Sequence, residues 1–371
     1  MKLLLAYEYG NRYLKSLYGR HPGLEARPYA EQIQILQDDY HGWPASVMKR
    51  AGEQGHQAEV IVFNCKPLQE AWARERGAGL EGDWACNVLL AQLESIKPDV
   101  VWMGMGLRYF GAFTAEVKAR CRKLFVWIAR PQPESLDLSS IDCILTSHST
   151  FVDRFRRMGR NCEVLLPSFE QRILERLSDV PRDIPFSFAG DLSPAQQRRI
   201  RDVKMLVRGS PLLLWGSCMT PPPVLGIRSL GRRLWHHLFV DRASLKRRYQ
   251  GEAWGMELYR ILRRSRMTFN SHAEIANREA GNMRMFEATG CGAALVTENF
   301  SNLGRIFEPG KEVIAYGDGE DLARVVEYYL SHAEEAAELA RRGQERTLRD
   351  HNAVIRAREF LGLCEKMLAS E

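Results

Sequence analysis

The sequence predicts an α/β protein built on two doubly wound parallel sheets, and three observations lead to this prediction. The chain has 371 residues, which is too long for one typical core and suits two domains. Short apolar segments alternate with helical segments through both halves, as they do where helices connect parallel strands. The strand, glycine and helix pattern then starts afresh at Phe186–Gly190, after a proline-bounded stretch at residues 181–185 that we interpret as a linker.

The first half contains six predicted strands. They are Lys2–Tyr7, Ala58–Phe63, Val100–Met103, Leu124–Ile128, Cys143–Thr146 and Val164–Leu166. Ligands of open α/β sheets bind beyond the carboxyl ends of the strands. Gly10, Gly104 and Gly106 follow two of these strands, so we expect them beside a bound ligand. For Gly10, a simple strand-to-helix turn is the competing interpretation. The glycine spacing after Val100–Met103 does not match a dinucleotide fingerprint, which argues against a nicotinamide enzyme.

His148 is the candidate base of the first half, because it follows the predicted strand Cys143–Thr146 at the ligand-binding edge. The competing interpretation is structural: Ser147, His148, Ser149 and Thr150 form a polar run of the kind that caps a following helix. The sequence alone leaves both interpretations open.

The composition is that of an ordinary soluble protein, with 45% hydrophobic and 26% charged residues. No apolar run approaches the length that a bilayer span needs, and we interpret the first residues as a strand instead of a signal peptide. The eight cysteines contain no Cys-x-x-Cys pair, which favours free thiols in a reducing compartment. We therefore expect a cytoplasmic protein.

A net charge of +6 favours anionic partners, which include nucleotide sugars, phospholipid headgroups and nucleic acid. Residues 226–250 mix arginine and lysine with aromatic side chains. This segment is open to three interpretations: peripheral contact with the anionic inner face of a membrane, binding of an anionic acceptor or polymer, or a solvated helix face. We expect no nucleic acid among the partners.

The segment from Phe269 to Thr297 carries the strongest chemical signal. A short strand enters a polar loop, a helix opens at Asn282, and small residues at Gly290–Gly292 end it. The free N–H groups and positive dipole of a helix N-terminus bind phosphate readily. We expect Asn282, the amides around Met283 and the forked guanidinium of Arg284 to hold a diphosphate.

Two glutamates extend this site, because Glu279 precedes the helix and Glu287 lies within it. The carboxylate of Glu287 suits the two hydroxyls of a ribose, and Glu279 is placed to reach another part of the same ligand. His272 directly follows the strand that introduces the loop, and we predict either a donor contact or a structural role for it.

A family resemblance is carried by the Glu-x7-Glu spacing together with the string NMRMFEATGCGAALVTENFSNLGRIFEPGKEVIAY. It resembles the donor-binding motif of GT-B glycosyltransferases of group 1 and, more finely, the C-terminal half of the CgeB-like group. The resemblance implies two Rossmann-like domains facing a central cleft. Residues 1–181 would form the acceptor domain and residues 182–351 the donor domain, and the last helix, 352–371, would pack back on the first domain. The loop at Gly190 would face the donor phosphates.

The resemblance implies a hexosyltransferase-like enzyme that moves a sugar from a nucleotide-diphosphate donor to a glycan, lipid-linked or protein acceptor. The sequence has no Asp-x-Asp pair, so we expect no catalytic metal and no cofactor besides the nucleotide sugar itself. The motif is more similar to retaining than to inverting members. Glu279, His148 and His272 are the catalytic candidates.

Two alternatives remain open at this stage. One is a nucleotide-sugar epimerase on the same GT-B plan, which would use His148, His272 and Glu279 as acid and base. The other is a non-catalytic protein that binds an anionic polymer through residues 226–250.

Overall fold

The computed structural model describes residues 1–79, 82–193, 196–217, 242–273, 278–317 and 321–370. The chain divides into two compact units: Met1–Glu170 together with Asn352–Glu371, and Gln171–His351. The predicted linker at residues 181–185 is therefore wrong as a boundary. The guanidinium of Arg182 donates to the carbonyls of Ser265 and Cys291, which fixes this stretch within the second unit.

The first unit is a six-stranded parallel sheet in the order β2-β1-β3-β4-β5-β6, with helices between the strands. Its elements are β1 Lys2–Tyr7, α1 Asn11–Arg20, α2 Tyr29–Asp38, α3 Trp43–Glu53, β2 Gln57–Val62, α4 Lys66–Arg76, α5 Trp84–Ile96, β3 Val100–Gly104, α6 Ala112–Lys118, β4 Lys123–Trp127, β5 Cys143–Thr146, α7 Ser149–Arg157, β6 Cys162–Val164 and, from the end of the chain, α15 Ala353–Leu368. Near-continuous apolar strands of this kind are covered by helices on both faces.

The last helix belongs to the first unit because its apolar side is buried there. The ring of Phe360 packs on Trp102 of β3 with a centroid distance of 4.9 Å. The Ala353 N–H donates to the carbonyl of Phe169 at 2.9 Å, which sets the start of α15 beside the end of the first unit's own chain. Burial of an aromatic ring of this size contributes about 2 kcal/mol or more.

The second unit is a five-stranded parallel sheet in the order β11-β10-β9-β7-β8. Its elements are α8 Arg172–Glu175, β7 Ile184–Ala189, α9 Gln197–Gly209, β8 Leu212–Trp215, α10 Arg242–Arg248, α11 Met256–Arg264, β9 Ser265–Phe269, α12 Met283–Gly290, β10 Ala294–Glu298, β11 Ile314–Tyr316, α13 Leu322–Ser331 and α14 Ala333–Asp350. Two parallel sheets with connecting helices confirm the predicted doubly wound architecture.

Each sheet has one point at which the strand order reverses, between β1 and β3 in the first unit and between β7 and β9 in the second. Chains leave such neighbouring strands toward opposite faces, and a crevice opens between their carboxyl ends. These two switch points are the places where each unit is expected to bind a ligand.

The helices within the described ranges include none with the length and apolar character needed to cross a membrane. Of the basic segment 226–250, residues 226–241 lie outside the described residues. Its remaining part contains α10, whose Leu245 is buried in the core of the second unit. Contact of this segment with a membrane stays a prediction.

Candidate functional site

The N-terminus of α12 lies at the carboxyl edge of the second sheet. The side chain of Asn282 accepts from the Met285 N–H at 3.3 Å, so it caps the helix as the sequence predicts. Its amide nitrogen donates to Asn270 at 3.0 Å, and Asn270 donates in turn to the hydroxyl of Thr297 at 3.1 Å. This chain of hydrogen bonds ties the helix start to the ends of β9 and β10.

Arg284 and Glu287 form an ion pair one turn apart on α12. The Nε of Arg284 donates to the carbonyl of Ala189 at 3.1 Å, which places the guanidinium at the end of β7, next to Gly190. Glu287 is 5% exposed and accepts from the hydroxyl of Tyr259 at 3.4 Å. Burial first, and then the charge of Glu287, raise the pKa of Tyr259 well above its ordinary value, so this hydroxyl stays a donor.

Gly190 is required by close packing at the ends of β7 and β8. A Cβ added to Gly190 would lie 2.9 Å from the Phe188 ring, and one added to Gly216 would lie 2.2 Å from the carbonyl oxygen of Gly190. The Gly190 N–H donates to the backbone carbonyl of Trp215 at 3.0 Å. These contacts explain the glycine without a ligand, and its contact with donor phosphates stays a prediction.

The loop before α12 is held by a side chain that the sequence did not single out. The amide of Asn302 both accepts from the Ala280 N–H and donates to the Ala280 carbonyl, each at 2.8 Å. Glu279, one residue earlier, is 6% exposed. Met283, in the first turn of the helix, is 38% exposed. The helix start is therefore accessible, whereas the carboxyl groups of the motif lie deeper.

His272 lies inside the same edge with both ring nitrogens engaged. Its Nδ1 lies 2.9 Å from an oxygen of Glu298, and its Nε2 accepts from the Gly281 N–H at 3.4 Å. An accepting Nε2 assigns the ring proton to Nδ1, which donates to Glu298. The carboxylate also accepts from Ser271 Oγ at 3.0 Å and from the His272 backbone N–H at 3.1 Å.

Glu298 is therefore a buried anchor for the loop that follows β9. Burial opposes its ionisation, but the hydrogen bonds that it accepts, chiefly from His272 and also from Ser271, outweigh burial and lower the pKa of Glu298. The geometry favours a positioning role for His272, and its predicted contact with the donor stays a prediction. The sequence signal for Glu298 was slight, since it is one more residue at the end of an apolar strand.

Arg199 joins the two loops of the second switch point. Its guanidinium donates to the carbonyl of Asp191, after β7, at 3.0 Å and to that of Ser271, after β9, at 2.6 Å. The guanidinium groups of Arg198 and Arg278 lie over the ring of Phe300, at 5.9 and 5.6 Å. The adjacent arginines in the helix after the glycine loop were visible in the sequence, but only the fold shows that Arg199 reaches the motif edge.

In the first unit, a cavity of about 320 Å³ opens at the carboxyl ends of β1, β3 and β4. It is lined by Tyr7, Glu8, Gly104, Met105, Gly106, Phe110, Trp127, Ile128, Ala129, Arg130 and Gln132. Glu8 accepts from the Gly106 N–H at 2.7 Å and from Arg108 at 2.8 Å. An added Cβ at Gly104 would lie 2.2 Å from the Tyr7 ring, so packing already requires that glycine.

Gly10 and His148 do not line this cavity. Gly10 precedes α1, and an added Cβ there would meet no atom within 4 Å. His148 precedes α7, its ring packs edge-on against Phe151 with centroids 5.4 Å apart, and its backbone N–H donates to the Thr146 hydroxyl at 3.3 Å. The structure thus gives His148 a place at the helix start, and its role as a base stays a prediction.

Within the described residues, no group of three or more His, Cys, Asp or Glu side chains could hold a metal ion. The expectation of a metal-independent reaction stays a prediction.

Comparison with known proteins connects this geometry to a fold. A family profile described as "Glycosyl transferase-like" matches residues 194–362, somewhat less than half of the chain. No curated protein matches the sequence.

Solved structures match over the whole length at low identity. Anabaena HepE in complex with UDP has a TM-score of 0.59 at 12% identity, covering 99% of this chain and 100% of its own. Sucrose-phosphate synthase from Thermosynechococcus elongatus has a TM-score of 0.61 at 11% identity, with 100% of both chains covered. A glycosyltransferase from Rickettsia africae has a TM-score of 0.58 at 11% identity, covering 100% and 99%.

The fold is GT-B. The predicted fold class is confirmed, and the finer resemblance to the CgeB-like group stays a prediction.

Proposed function

We propose that the chain is a hexosyltransferase that moves a sugar from a nucleotide-diphosphate donor to an acceptor hydroxyl. The observation that carries the proposal is the Arg284–Glu287 pair on a capped helix start beside the β7/β9 switch point. The glycosyltransferase-like profile, which includes this helix, supports it. HepE, which shares the fold, has been solved with UDP, with UDP and glucose, and with UDP-glucose.

Donor binding would exchange the partners of the Arg284–Glu287 pair. The diphosphate takes the guanidinium of Arg284, the amides of the first turn at Asn282 and Met283, and the nearby Arg199. The ribose hydroxyls then take the carboxylate of Glu287. Arg284 then has the diphosphate as its countercharge and Glu287 has the ribose hydroxyls as hydrogen-bond donors, so neither buried group is left without a partner, which would cost several kcal/mol.

The chemical step breaks the bond between the anomeric carbon and the β-phosphate oxygen, and the electron pair goes to the diphosphate. Arg284 and the helix N-terminus stabilise that charge in place of a metal. Glu279 holds the hydroxyls of the sugar ring. The acceptor oxygen bonds to the anomeric carbon on the retained face, and its proton passes to an oxygen of the leaving diphosphate.

The acceptor would bind in the first unit, in the cavity beside Gly104 and Gly106. The faces of Tyr7 and Trp127 suit an apolar sugar face, and Glu8 is an acceptor for one hydroxyl. Gly10 and His148, at neighbouring strand ends, stay candidates for contacts with the remainder of a glycan, lipid-linked or protein acceptor. The proposal places the reaction in the cytoplasm, at the inner face of the membrane for a lipid-linked acceptor.

A thermal-shift screen against UDP, GDP, ADP, dTDP and CMP tests the donor site. At a hundred times its dissociation constant, a bound nucleotide stabilises the fold by about 2.7 kcal/mol. We expect one nucleoside diphosphate to raise the melting temperature of the wild type but not that of Glu287→Gln. Glu327→Gln is the matched control, because Glu327 is an exposed glutamate on α13 of the same unit. If no nucleotide shifts the wild type, or if the shift survives Glu287→Gln, the donor assignment fails.

Incubation with the nucleotide sugar alone separates transfer from epimerisation. A transferase without acceptor releases sugar only slowly, whereas an epimerase converts the donor at its full rate. Hydrogen bonds engage both ring nitrogens of His272, which argues against this side chain acting as a mobile acid or base at this edge. The binder of anionic polymers predicted from residues 226–250 would show steeply salt-dependent binding that ignores Glu287→Gln.

A further inference from the structure

The second unit has another cavity, of about 500 Å³, at the opposite edge of its sheet. It lies where the strands begin: Pro185 is the second residue of β7, and Arg266 and Met267 follow the first residue of β9. The nucleotide motif lies at the carboxyl ends of the same parallel strands. The cavity is therefore separate from the proposed donor site, and its volume is typical of small-molecule sites.

The walls of this cavity are mostly apolar. Met267 and Pro185 come from the sheet, Tyr329 and Leu330 from α13, and alanines from one face of α14. Alanines at spacings of three and four residues keep side-chain volume out of the space between the helix and the sheet. Apolar walls of this kind, with a small number of polar groups, are what an organic ligand requires.

Arg182 brings an uncompensated positive charge to one end of the cavity. Its guanidinium donates to the carbonyls of Ser265 at 2.8 Å and Cys291 at 3.1 Å, and Arg263 donates to the same Cys291 carbonyl at 3.3 Å. Within the described ranges, no carboxylate pairs with either arginine. Burial, and then the charge of Arg263, lower the pKa of Arg182.

Two neighbouring arginines differ from Arg182 because they are paired with carboxylates. Arg264 forms two hydrogen bonds with Asp183, and Arg341, on the cavity rim, is paired with Glu338 and Glu345. Half-buried cations are normally paired, because an uncompensated charge costs free energy. Gly292 makes room for the guanidinium of Arg182, since an added Cβ there would lie 2.5 Å from its Nη2.

We propose that this cavity binds a free organic anion, an apolar body of fused-ring or short acyl type with one anionic group directed at Arg182. The apolar walls bury the apolar body of the ligand, and the anionic group of the ligand supplies a countercharge for Arg182. The site is independent of the proposed transferase activity, because none of the residues proposed to contact the nucleotide sugar lines this cavity.

A matched pair of dyes tests the charge requirement. 8-Anilinonaphthalene-1-sulfonate carries the anion, and N-phenyl-1-naphthylamine has the same apolar body without it. We expect saturable binding of the anionic dye at one site of the wild type, weakened at least tenfold by Arg182→Gln, with the neutral dye unchanged within twofold. Arg182→Lys should retain part of the binding. Arg305→Gln, which removes an exposed arginine of the same unit outside the cavity, should bind both dyes as the wild type does.

A second pair of variants tests the cavity itself. Ala337 is exposed on α14 and lines the cavity, so Ala337→Trp fills the space without entering the core, and Ala337→Ser leaves it open. The tryptophan should abolish binding of both dyes and the serine should not, with far-ultraviolet circular dichroism checking the fold of each variant. Non-saturable binding, wild-type affinity for the anionic dye in Arg182→Gln, or wild-type binding of both dyes in Ala337→Trp would each overturn the proposal.

Discussion

The two switch points of this molecule are built on the same plan but are occupied differently. In the second unit, the edge between β7 and β9 is filled by charged groups of the protein, with Arg284 on Glu287 and Arg199 on the carbonyls of Asp191 and Ser271. In the first unit, the edge between β1 and β3 is an open cavity of about 320 Å³. Its carboxylate, Glu8, is held by a backbone N–H and an exposed arginine.

The difference reflects what each edge would recognise. A diphosphate and a ribose present the same charges and hydroxyls in every nucleotide, so a capped helix and a few charged side chains suffice. An acceptor is recognised by shape, and several loops must contribute to that shape. Under the proposed function, charge pairing would mark the edge that binds the donor, and open volume would mark the edge that binds the acceptor.

Removing Arg284 should have the largest effect. Arg284→Gln leaves the buried Glu287 without its cation, which we expect to cost about 3 kcal/mol of unfolding free energy and to abolish the nucleotide-induced thermal shift. The double variant Arg284→Gln/Glu287→Gln should recover most of the stability, because no charge is then left unpaired, while nucleotide binding stays absent. Urea unfolding and thermal shift measure the two effects separately. If the double variant binds nucleotide as the wild type does, the proposed nucleotide site at the edge between β7 and β9 is wrong.

Sequence reasoning predicted the architecture well because each buried parallel strand is a short local run of apolar residues. β1 and β5 begin and end where the pattern predicts, and Asn282 caps α12 as expected. The predicted linker failed because Pro181 and Pro185 resemble a linker locally. Only the hydrogen bonds of Arg182 to distant strands show that this stretch belongs to the second sheet.

The site was predictable only where its residues are neighbours in sequence. Arg284 and Glu287 are three residues apart on one helix, so spacing alone suggested a shared site. Asn302 and Glu298 reach the motif loop from later in the chain, and Glu8 meets Gly106 across 98 residues of sequence. These contacts depend on the order of the strands in the sheet, which cannot be derived from the sequence of a single chain.

Two glycines of the first unit should separate packing from ligand contact. Gly104→Ala places a methyl group against the Tyr7 ring, and we expect it to lower the unfolding free energy by about 1–3 kcal/mol. Gly10→Ala meets open space at a φ of −61°, so it should change stability by less than about 0.5 kcal/mol. Urea titration of both variants makes the measurement. Equal effects at the two positions would show that the packing argument for Gly104 is wrong.

Glu8→Gln should weaken acceptor use without affecting the donor. Replacing the charged acceptor by a neutral amide oxygen weakens its hydrogen bond by about 1 kcal/mol, so we expect the KM for a glycoside acceptor to rise roughly fivefold. The acceptor would be chosen from a panel of p-nitrophenyl glycosides by activity of the wild type, and the nucleotide thermal shift should stay unchanged. Glu116→Gln, an exposed glutamate of the same unit, is the control. A lost nucleotide shift in Glu8→Gln would contradict the separation of the two edges.

The charge of Glu298 should have the smallest effect, which we expect to see in how the unfolding free energy depends on pH. This effect tests how the loop after β9 is anchored. Its folded pKa is lowered, chiefly by His272 against the opposing effect of burial, so the native state favours the charged carboxylate. That stability is present above the ordinary glutamate pKa of about 4.3 and is lost as pH falls through the lower folded value. Glu298→Gln has no such charge, so its unfolding free energy should fall less steeply with acid than that of the wild type. Parallel acid slopes for the two proteins in urea titrations would show that the carboxylate does not anchor the loop through its charge, and the anchoring would then rest on hydrogen bonds that glutamine also accepts.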